Sequence, residues 1–243
     1  PPDIFNKDVY MVDFSYKHDV MEIICRYANN VILLDHHKSA LEDLWDLNSS
    51  KINFDMSLAT TEKSGAMIAW DYVKQKENHK RKIPQILKHI EDRDLWKFEL
   101  PHTKEIMSAV FSYDKTLESY DKLMRLSSKG IKDLISVGTV LERKFNLDIT
   151  GLIRQCKRIV DFEGHKVPMA NLNGMYASEA GNIMSESFPF AVTYYDTAIH
   201  RVFSLRSRET GTDVSEIATK FGGGGHKHAA GFKVDRNHIL AKI

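Results

Sequence analysis

The sequence predicts an α/β protein in which a parallel-sheet domain is joined by a long helix to a smaller α/β domain. Near the N-terminus, short apolar runs alternate with segments whose apolar residues recur at helical spacing. Between residues 131 and 159, apolar residues recur every three or four positions, as in a long amphipathic helix. After Gly164, strand-like segments flank one further helix. We therefore expect domains over residues 1–127 and 164–243, with a connecting helix over 128–163.

The first strand–helix–strand unit runs from Tyr10 to Leu34. One apolar strand ends at Asp13, a helical pattern covers residues 20–27, and a second apolar strand precedes Asp35. Right-handed crossover makes such strands parallel. Asp13 and Asp35 are therefore expected at the same sheet edge, which is the edge where α/β proteins bind ligands.

Three side chains of ligand type, Asp35, His36 and His37, directly follow the second strand. A carboxylate and two imidazoles suit Mn²⁺ or another first-row divalent ion better than Ca²⁺. Two metal ions about 3.5–4 Å apart need a bridging group, and Asp13 is placed to provide it. The alternatives are an ordinary strand-end turn for the tripeptide and a helix N-cap for Asp13.

A third acidic cluster, Glu91-Asp92-Arg93-Asp94, follows a helical pattern over residues 83–90. Acidic residues at a helix C-terminus oppose the helix dipole and therefore need a compensating cation. That cation is either a bound metal or Arg93. The spacing does not choose between Asp92 and Asp94 as a metal ligand.

A glycine-rich segment near the C-terminus is the second strong motif. It lies between an amphipathic pattern over residues 214–221 and a predicted strand over 230–234. Consecutive glycines let backbone amides approach an anion closely, and the next two side chains add donors and positive charge. A flexible loop is the alternative, but the placement favours a phosphate-binding loop. The residues are Gly222, Gly223, Gly224, Gly225, His226 and Lys227.

In their order along the chain, these motifs resemble those of the DHH phosphoesterase superfamily, which joins a DHH domain to a DHH-associated domain. The resemblance covers nearly the whole chain and is greatest to the nano-RNase B branch of oligoribonucleases and nucleotide phosphodiesterases. The segments that carry it are VDFS around Asp13, DHHKSA from Asp35, EDRDLW from Glu91, SLRS from Ser204 and GGGGHKHAAGF from Gly222.

The resemblance implies a two-Mn²⁺ phosphodiesterase that hydrolyses short oligoribonucleotides to mononucleotides, with Mg²⁺ or Co²⁺ as other usable ions. Asp13 would bridge the metals, His36 would ligate one of them, and Asp92 or Asp94 would complete the second site. His37 would contact the scissile phosphate, while Asp35 would orient the neighbouring imidazole. The implied substrate-binding residues are Ser178, Arg206, Gly222, Gly223, Gly224, Gly225 and His226.

Three alternatives to oligoribonucleotide hydrolysis stay open. These are a phosphatase for nucleoside bisphosphates, a phosphodiesterase for cyclic or linear dinucleotides, and a non-catalytic nucleotide-binding protein. The last is motivated by a missing motif, because the family's N-terminal Asp-x-Asp-Gly strand, which supplies most ligands of the first metal, does not precede Pro1. We expect a chain that has lost about forty N-terminal residues, judged from the size of a strand–helix unit, or a naturally incomplete member.

Composition restricts the partners of the protein. A net charge of +1 argues against a long nucleic-acid track, which requires many cationic contacts. Short RNA or a dinucleotide is the expected substrate, and a homodimer is compatible with these features. The two cysteines, Cys25 and Cys156, fit buried thiols in a reducing cytoplasm. No apolar run reaches membrane-spanning length, so we do not expect a membrane partner.

Overall fold

The computed structural model describes residues 3–50 and 53–242, without the side chains of residues 48–50. It is an α/β structure, as predicted, and divides into two compact units, residues 1–145 and 146–243. The dividing point therefore lies eighteen residues beyond the expected end of the first domain, within the long helix. None of the described helices combines the length and apolarity required to cross a lipid bilayer.

The first unit begins with parallel strands separated by helices and continues as a series of helices. Its elements are β1 Asp8–Val12, α1 His18–Tyr27, β2 Asn30–Leu34, α2 Lys38–Asp43, α3 Trp45–Ser50, β3 Phe54–Asp55, α4 Gly65–Lys76, α5 Gln85–Asp94, α6 Thr103–Val110, α7 Leu117–Met124 and the N-terminal part of α8 Ser128–Cys156.

The sheet of the first unit has the order β1-β2-β3, and both strand pairs are parallel. Met11 pairs with Leu33 and Val12 with Leu34, so the two strands end side by side. Helix α1 buries Met21 and Ile24 in the same core as Leu33. Helices α5 to α8 form a second core, in which the fully or nearly fully buried residues include Ile86, Ile106, Met107, Val110, Leu123 and Leu134.

The second unit contains a six-stranded sheet of order β4-β5-β6-β7-β9-β8. Only the β5–β6 pair is parallel. Four phenylalanines, Phe162, Phe190, Phe203 and Phe232, are at most 5% exposed and dominate its core. Its elements are β4 Arg158–Phe162, β5 His165–Asn171, α9 Ala177–Met184, β6 Ala191–Asp196, β7 His200–Arg206, α10 Val214–Lys220, β8 Gly224–His226 and β9 Ala229–Asp235.

The connecting helix is shorter than the predicted span of residues 128–163. Helix α8 ends at Cys156, and the apolar residues that follow it form strand β4 instead. Glu163 and Gly164 both have left-handed φ values, 53° and 77°, which close a tight hairpin between β4 and β5. The helical pattern failed here because an alternating strand pattern directly abuts a helical one, with Phe162 turned into the core.

Candidate metal centre

Asp13 and Asp35 lie at the same edge of the parallel sheet, as predicted. The backbone N–H of Asp13 donates to the carbonyl of Leu34 at 2.9 Å, which continues the β1–β2 ladder past the end of β1. Asp13 has a left-handed φ of 62°. Aspartate tolerates this region better than most residues, although at a cost in conformational energy.

The imidazole of His36 connects two carboxylates at this edge. Its Nε2 atom lies 3.2 Å from Asp13 Oδ1 and 3.4 Å from Asp94 Oδ2. The His36 side chain is only 3% exposed, whereas those of Asp13 and Asp94 are 55% and 40% exposed. A buried nitrogen donor therefore lies between two oxygen donors that solvent can reach, which is a ligand set suited to a first-row divalent ion.

Asp35 is fully buried and holds the neighbouring histidine. Its Oδ1 atom contacts His37 Nδ1 at 2.7 Å and also accepts the backbone N–H groups of His36 and His37. Burial raises the pKa of Asp35, but these bonds outweigh it, so the pKa lies below its usual range. The hydrogen bond with Asp35 raises the pKa of His37, because it outweighs the opposing effect of burial. The His37 imidazole is therefore oriented by a hydrogen bond with a buried carboxylate.

The second oxygen of Asp35 gives an independent sign of a cation. Asp35 Oδ2 is buried and has no hydrogen-bond partner among the described residues. A buried carboxylate oxygen without a partner costs free energy unless a cation or water satisfies it. Asp13, Asp35 and His37 each offer one donor atom, and these three atoms lie within 4.8 Å of one another. Asp13 thus belongs to two sets of donors, one with His36 and Asp94 and one with Asp35 and His37.

Asp92 and Asp94, which the sequence could not distinguish as metal ligands, have different surroundings in the structure. Asp94 faces His36, whereas Asp92 is 5% exposed and accepts from the backbone N–H groups of Glu99 and Leu100 and from the Thr103 hydroxyl. Asp92 thereby fixes the loop that leads into α6. Of the two predicted ligands, only Asp94 lies at the candidate centre.

The electrostatics of Asp94 agree with this placement. Partial burial and repulsion from Asp13 raise its pKa, and the favourable charges of His36, His37 and Arg93 do not fully offset them. Two carboxylates that share one imidazole repel each other. A divalent cation would relieve this repulsion, which no neighbouring side chain does completely.

Gly65 was not identified from the sequence, yet it gives Asp13 the space it occupies. A Cβ atom on Gly65 would lie 2.3 Å from Asp13 Oδ1. Gly65 is the first residue of α4, and Ser64 caps that helix by accepting from the N–H of Met67. The backbone N–H of Ser64 donates to Glu91 Oε2, so the acidic motif also positions α4. The Asp13 carboxylate therefore lies against a helix N-terminus, which stabilises negative charge.

In the second unit, the structure brings two predicted substrate-binding residues together. One Arg206 nitrogen donates to Ser178 Oγ at 2.9 Å, and the other terminal nitrogen donates to Ser204 Oγ and the Leu205 carbonyl. Gly181 lets α9 pack closely on β7, because a Cβ there would lie 2.7 Å from Arg206 Cγ. The guanidinium is thus held firmly by its own unit.

The glycine run, predicted to be a phosphate-binding loop with a flexible loop as the alternative, is held by backbone hydrogen bonds and partly forms a strand. Gly224, Gly225 and His226 form strand β8, which pairs antiparallel with β9, and the N–H groups of Gly222 and Gly223 donate to Thr219 and Ala218. Gly223 and Gly225 are needed for close packing, since a Cβ on either would come within 2.5 Å of a backbone carbonyl of β9. His228, just beyond, pairs its Nδ1 with the Ser207 hydroxyl at 3.0 Å.

Comparison with curated sequences finds a viral relative. No protein-family model matches the chain. The uncharacterized protein R106 of Acanthamoeba polyphaga mimivirus is 31% identical over 235 residues, an alignment that covers 94% of this chain and 53% of R106. The chain therefore spans about half the length of the curated relative that it matches.

Comparison with solved structures identifies the fold. The DHH domain of a member of the S1P family of ribosomal proteins superposes with a TM-score of 0.50 and 11% identity, covering 96% of this chain and 67% of that one. The exonuclease RecJ bound to manganese superposes with a TM-score of 0.40 and 15% identity, covering 97% and 73%. The similarity to the first of these shows that the chain has the α/β fold of DHH-domain structures.

Proposed function

We propose that this chain is a divalent-metal-dependent phosphodiesterase of the DHH superfamily that hydrolyses short oligoribonucleotides to mononucleotides. One observation carries the proposal. Asp13, His36 and Asp94 converge beside the hydrogen-bonded pair of buried Asp35 and partly exposed His37, at the carboxyl ends of parallel strands. The DHH-domain fold supports the same conclusion.

The ligand set fits a first-row divalent ion, and we propose Mn²⁺, with Mg²⁺ or Co²⁺ as substitutes. Asp13, His36 and Asp94 would hold it, and Asp35 Oδ2 adds a buried oxygen donor. When bound, such an ion lowers the pKa of coordinated water and offsets the negative charge that develops on phosphate oxygens. Burial restricts the His36 ring, so its Nε2 atom stays close to both Asp13 and Asp94.

His37 would act on the phosphate directly. Asp35 holds the Nδ1 side of the ring, and the opposite nitrogen, Nε2, would donate to a phosphate oxygen. The raised pKa of His37 keeps this ring protonated at higher pH than an ordinary histidine. A positioned hydrogen-bond donor stabilises the negative charge that develops on the phosphate oxygens in the transition state.

The preference for short substrates rests on charge and on the second unit. A net charge of +1 provides little net attraction for a long phosphate backbone. We propose that Arg206, with Ser178 beside it, binds a terminal phosphate of the substrate. Its rigid anchoring by Ser178 and Ser204 lowers the entropy lost on binding.

The test is turnover by the full chain in Mn²⁺ on a panel of phosphate esters. We expect RNA fragments of two to five nucleotides to be hydrolysed to mononucleotides, faster than a long structured RNA, and to be protected by excess EDTA. Faster turnover of a nucleoside 3′,5′-bisphosphate or of a cyclic dinucleotide would replace the proposed substrate. Calorimetry should be run in parallel: Mn²⁺ and nucleotide binding without turnover of any ester would make the chain a non-catalytic nucleotide-binding protein.

A further inference from the structure

A cavity of about 240 Å³ lies beside the candidate metal centre, within the first unit. Asp94 lines it and also faces His36, so the cavity and the centre share one side chain. The floor is apolar, since Met107 and Val110 are each 4% exposed. The walls come from helices α5 and α7 and from the C-terminal end of α6. The other lining residues are Ile90, Arg93, Phe111 and Tyr120.

The cavity has the features of a site for a flat aromatic group. Phe111 is 52% exposed and Tyr120 is 36% exposed, so two aromatic rings remain accessible at its walls. The Arg93 guanidinium lies 4.7 Å from the centre of the Phe111 ring, which holds the ring in a cation–π contact. Aromatic rings and guanidinium planes are the surfaces on which nucleobases stack.

We propose that this cavity binds the nucleobase of the substrate nucleotide whose phosphate lies at the candidate metal centre. The proposal rests on the proposed phosphodiesterase function and names a base-binding site for it. The volume is below the range of about 300–1,000 Å³ that is usual for drug-sized ligands. It therefore suits one base with part of its sugar, in agreement with a substrate of few nucleotides. Stacking makes little distinction among bases, so the site would favour nucleotides over bare sugar phosphates without reading sequence.

The test compares the binding of adenosine 5′-monophosphate and ribose 5-phosphate by calorimetry, with and without Mn²⁺. The two ligands share the phosphate and the sugar, and only one has a base. We expect the nucleotide to bind roughly five- to a hundredfold more tightly, which is the range for one stacked base. In Phe111→Ala this ratio should fall toward one. Tyr113→Ala is the matched control, because Tyr113 is 48% exposed and does not line the cavity.

The outcomes separate this proposal from the proposed function. An equal loss of preference in Phe111→Ala and Tyr113→Ala, or an unchanged ratio in Phe111→Ala, would overturn the base-binding site even if the protein hydrolyses RNA. If the protein has no hydrolytic activity but still shows the Phe111-dependent preference, the base-binding site is supported and the proposed phosphodiesterase function is wrong. Phe111→Leu retains apolar packing against Arg93 without the aromatic ring, so it provides the same comparison if the alanine variant unfolds.

Discussion

The Asp13 carboxylate occupies the space that a side chain at Gly65 would fill. A Cβ atom at position 65 would lie 2.3 Å from Asp13 Oδ1. In Gly65→Ala we expect Asp13 to be displaced. Its carboxylate would have to rotate, and because the added Cβ would also lie 2.8 Å from Asp13 Cβ, the backbone at Asp13 or at the start of α4 would have to shift as well. Mn²⁺ affinity should fall about 10- to 100-fold, the usual effect of losing support for a metal ligand, with a similar loss of turnover.

Gly151→Ala is the control for that substitution. Gly151 lies in α8, and a Cβ there would meet nothing within 4 Å. The control should leave Mn²⁺ affinity unchanged and raise helix stability slightly. Metal binding by Gly65→Ala that equals that of the control would show that Asp13 is not a ligand, or that it adapts without cost.

Asp92 and Asp94 should separate into a stabilising residue and a metal ligand. In Asp94→Asn, Mn²⁺ affinity should fall by an order of magnitude or more while thermal stability holds or rises, because repulsion with Asp13 is relieved. In Asp92→Asn, the free energy of unfolding should fall by about 1–3 kcal/mol, since a buried acceptor of three hydrogen bonds is weakened. Calorimetry with Mn²⁺ and urea unfolding measure the two effects. The opposite pattern would make Asp92 the ligand.

Much of this centre follows from sequence, because the sheet edge depends on strand periodicity and crossover handedness, both of which are local properties. Strand periodicity and crossover handedness together predicted correctly that Asp13 and Asp35 lie at the same sheet edge. The choice between Asp92 and Asp94 depends instead on which way the last turn of α5 points, and the role of Gly65 depends on a contact across 52 residues of chain. The backbone conformation of the glycine run could not be predicted for a related reason: its composition is compatible with an open loop and with a closely packed edge strand, and only pairing with β9 decides.

The Asp196–Arg201 pair should make the stability of the second unit depend on pH. The Arg201 Nε–H group donates to Asp196 Oδ1 at 2.8 Å, and this bond lowers the pKa of Asp196 below its usual 3.8. A carboxyl whose pKa is lower when folded stabilises the fold above pH 3.8, and this contribution is lost as pH falls through the folded value. Urea unfolding from pH 7 to pH 3 should therefore show a stability difference from Asp196→Asn that is constant above about pH 5 and shrinks below pH 4. A constant difference throughout would contradict the coupling.

Arg206 provides the sharpest test of substrate binding by the second unit. If its guanidinium binds substrate phosphate, Arg206→Ala should raise KM for a dinucleotide and leave Mn²⁺ affinity nearly unchanged. The lost charge-assisted contact should cost on the order of 1.5–3 kcal/mol, or about ten- to a hundredfold in kcat/KM. Arg236→Ala is the control, because Arg236 is an exposed arginine of the same unit that pairs with Asp196.

Comparing two substrates shows whether Arg206 acts in substrate binding or in the chemical step. Bis(p-nitrophenyl) phosphate has no terminal phosphate, so its slower cleavage should be almost insensitive to Arg206→Ala. Ser178→Ala removes one acceptor of the guanidinium and should give a smaller rise in KM in the same direction, because Ser204 and Leu205 still hold the other nitrogen. Equal losses on the probe and on the dinucleotide would instead assign Arg206 to the chemical step or to the packing of α9 on β7, and the phosphate-binding role would be excluded.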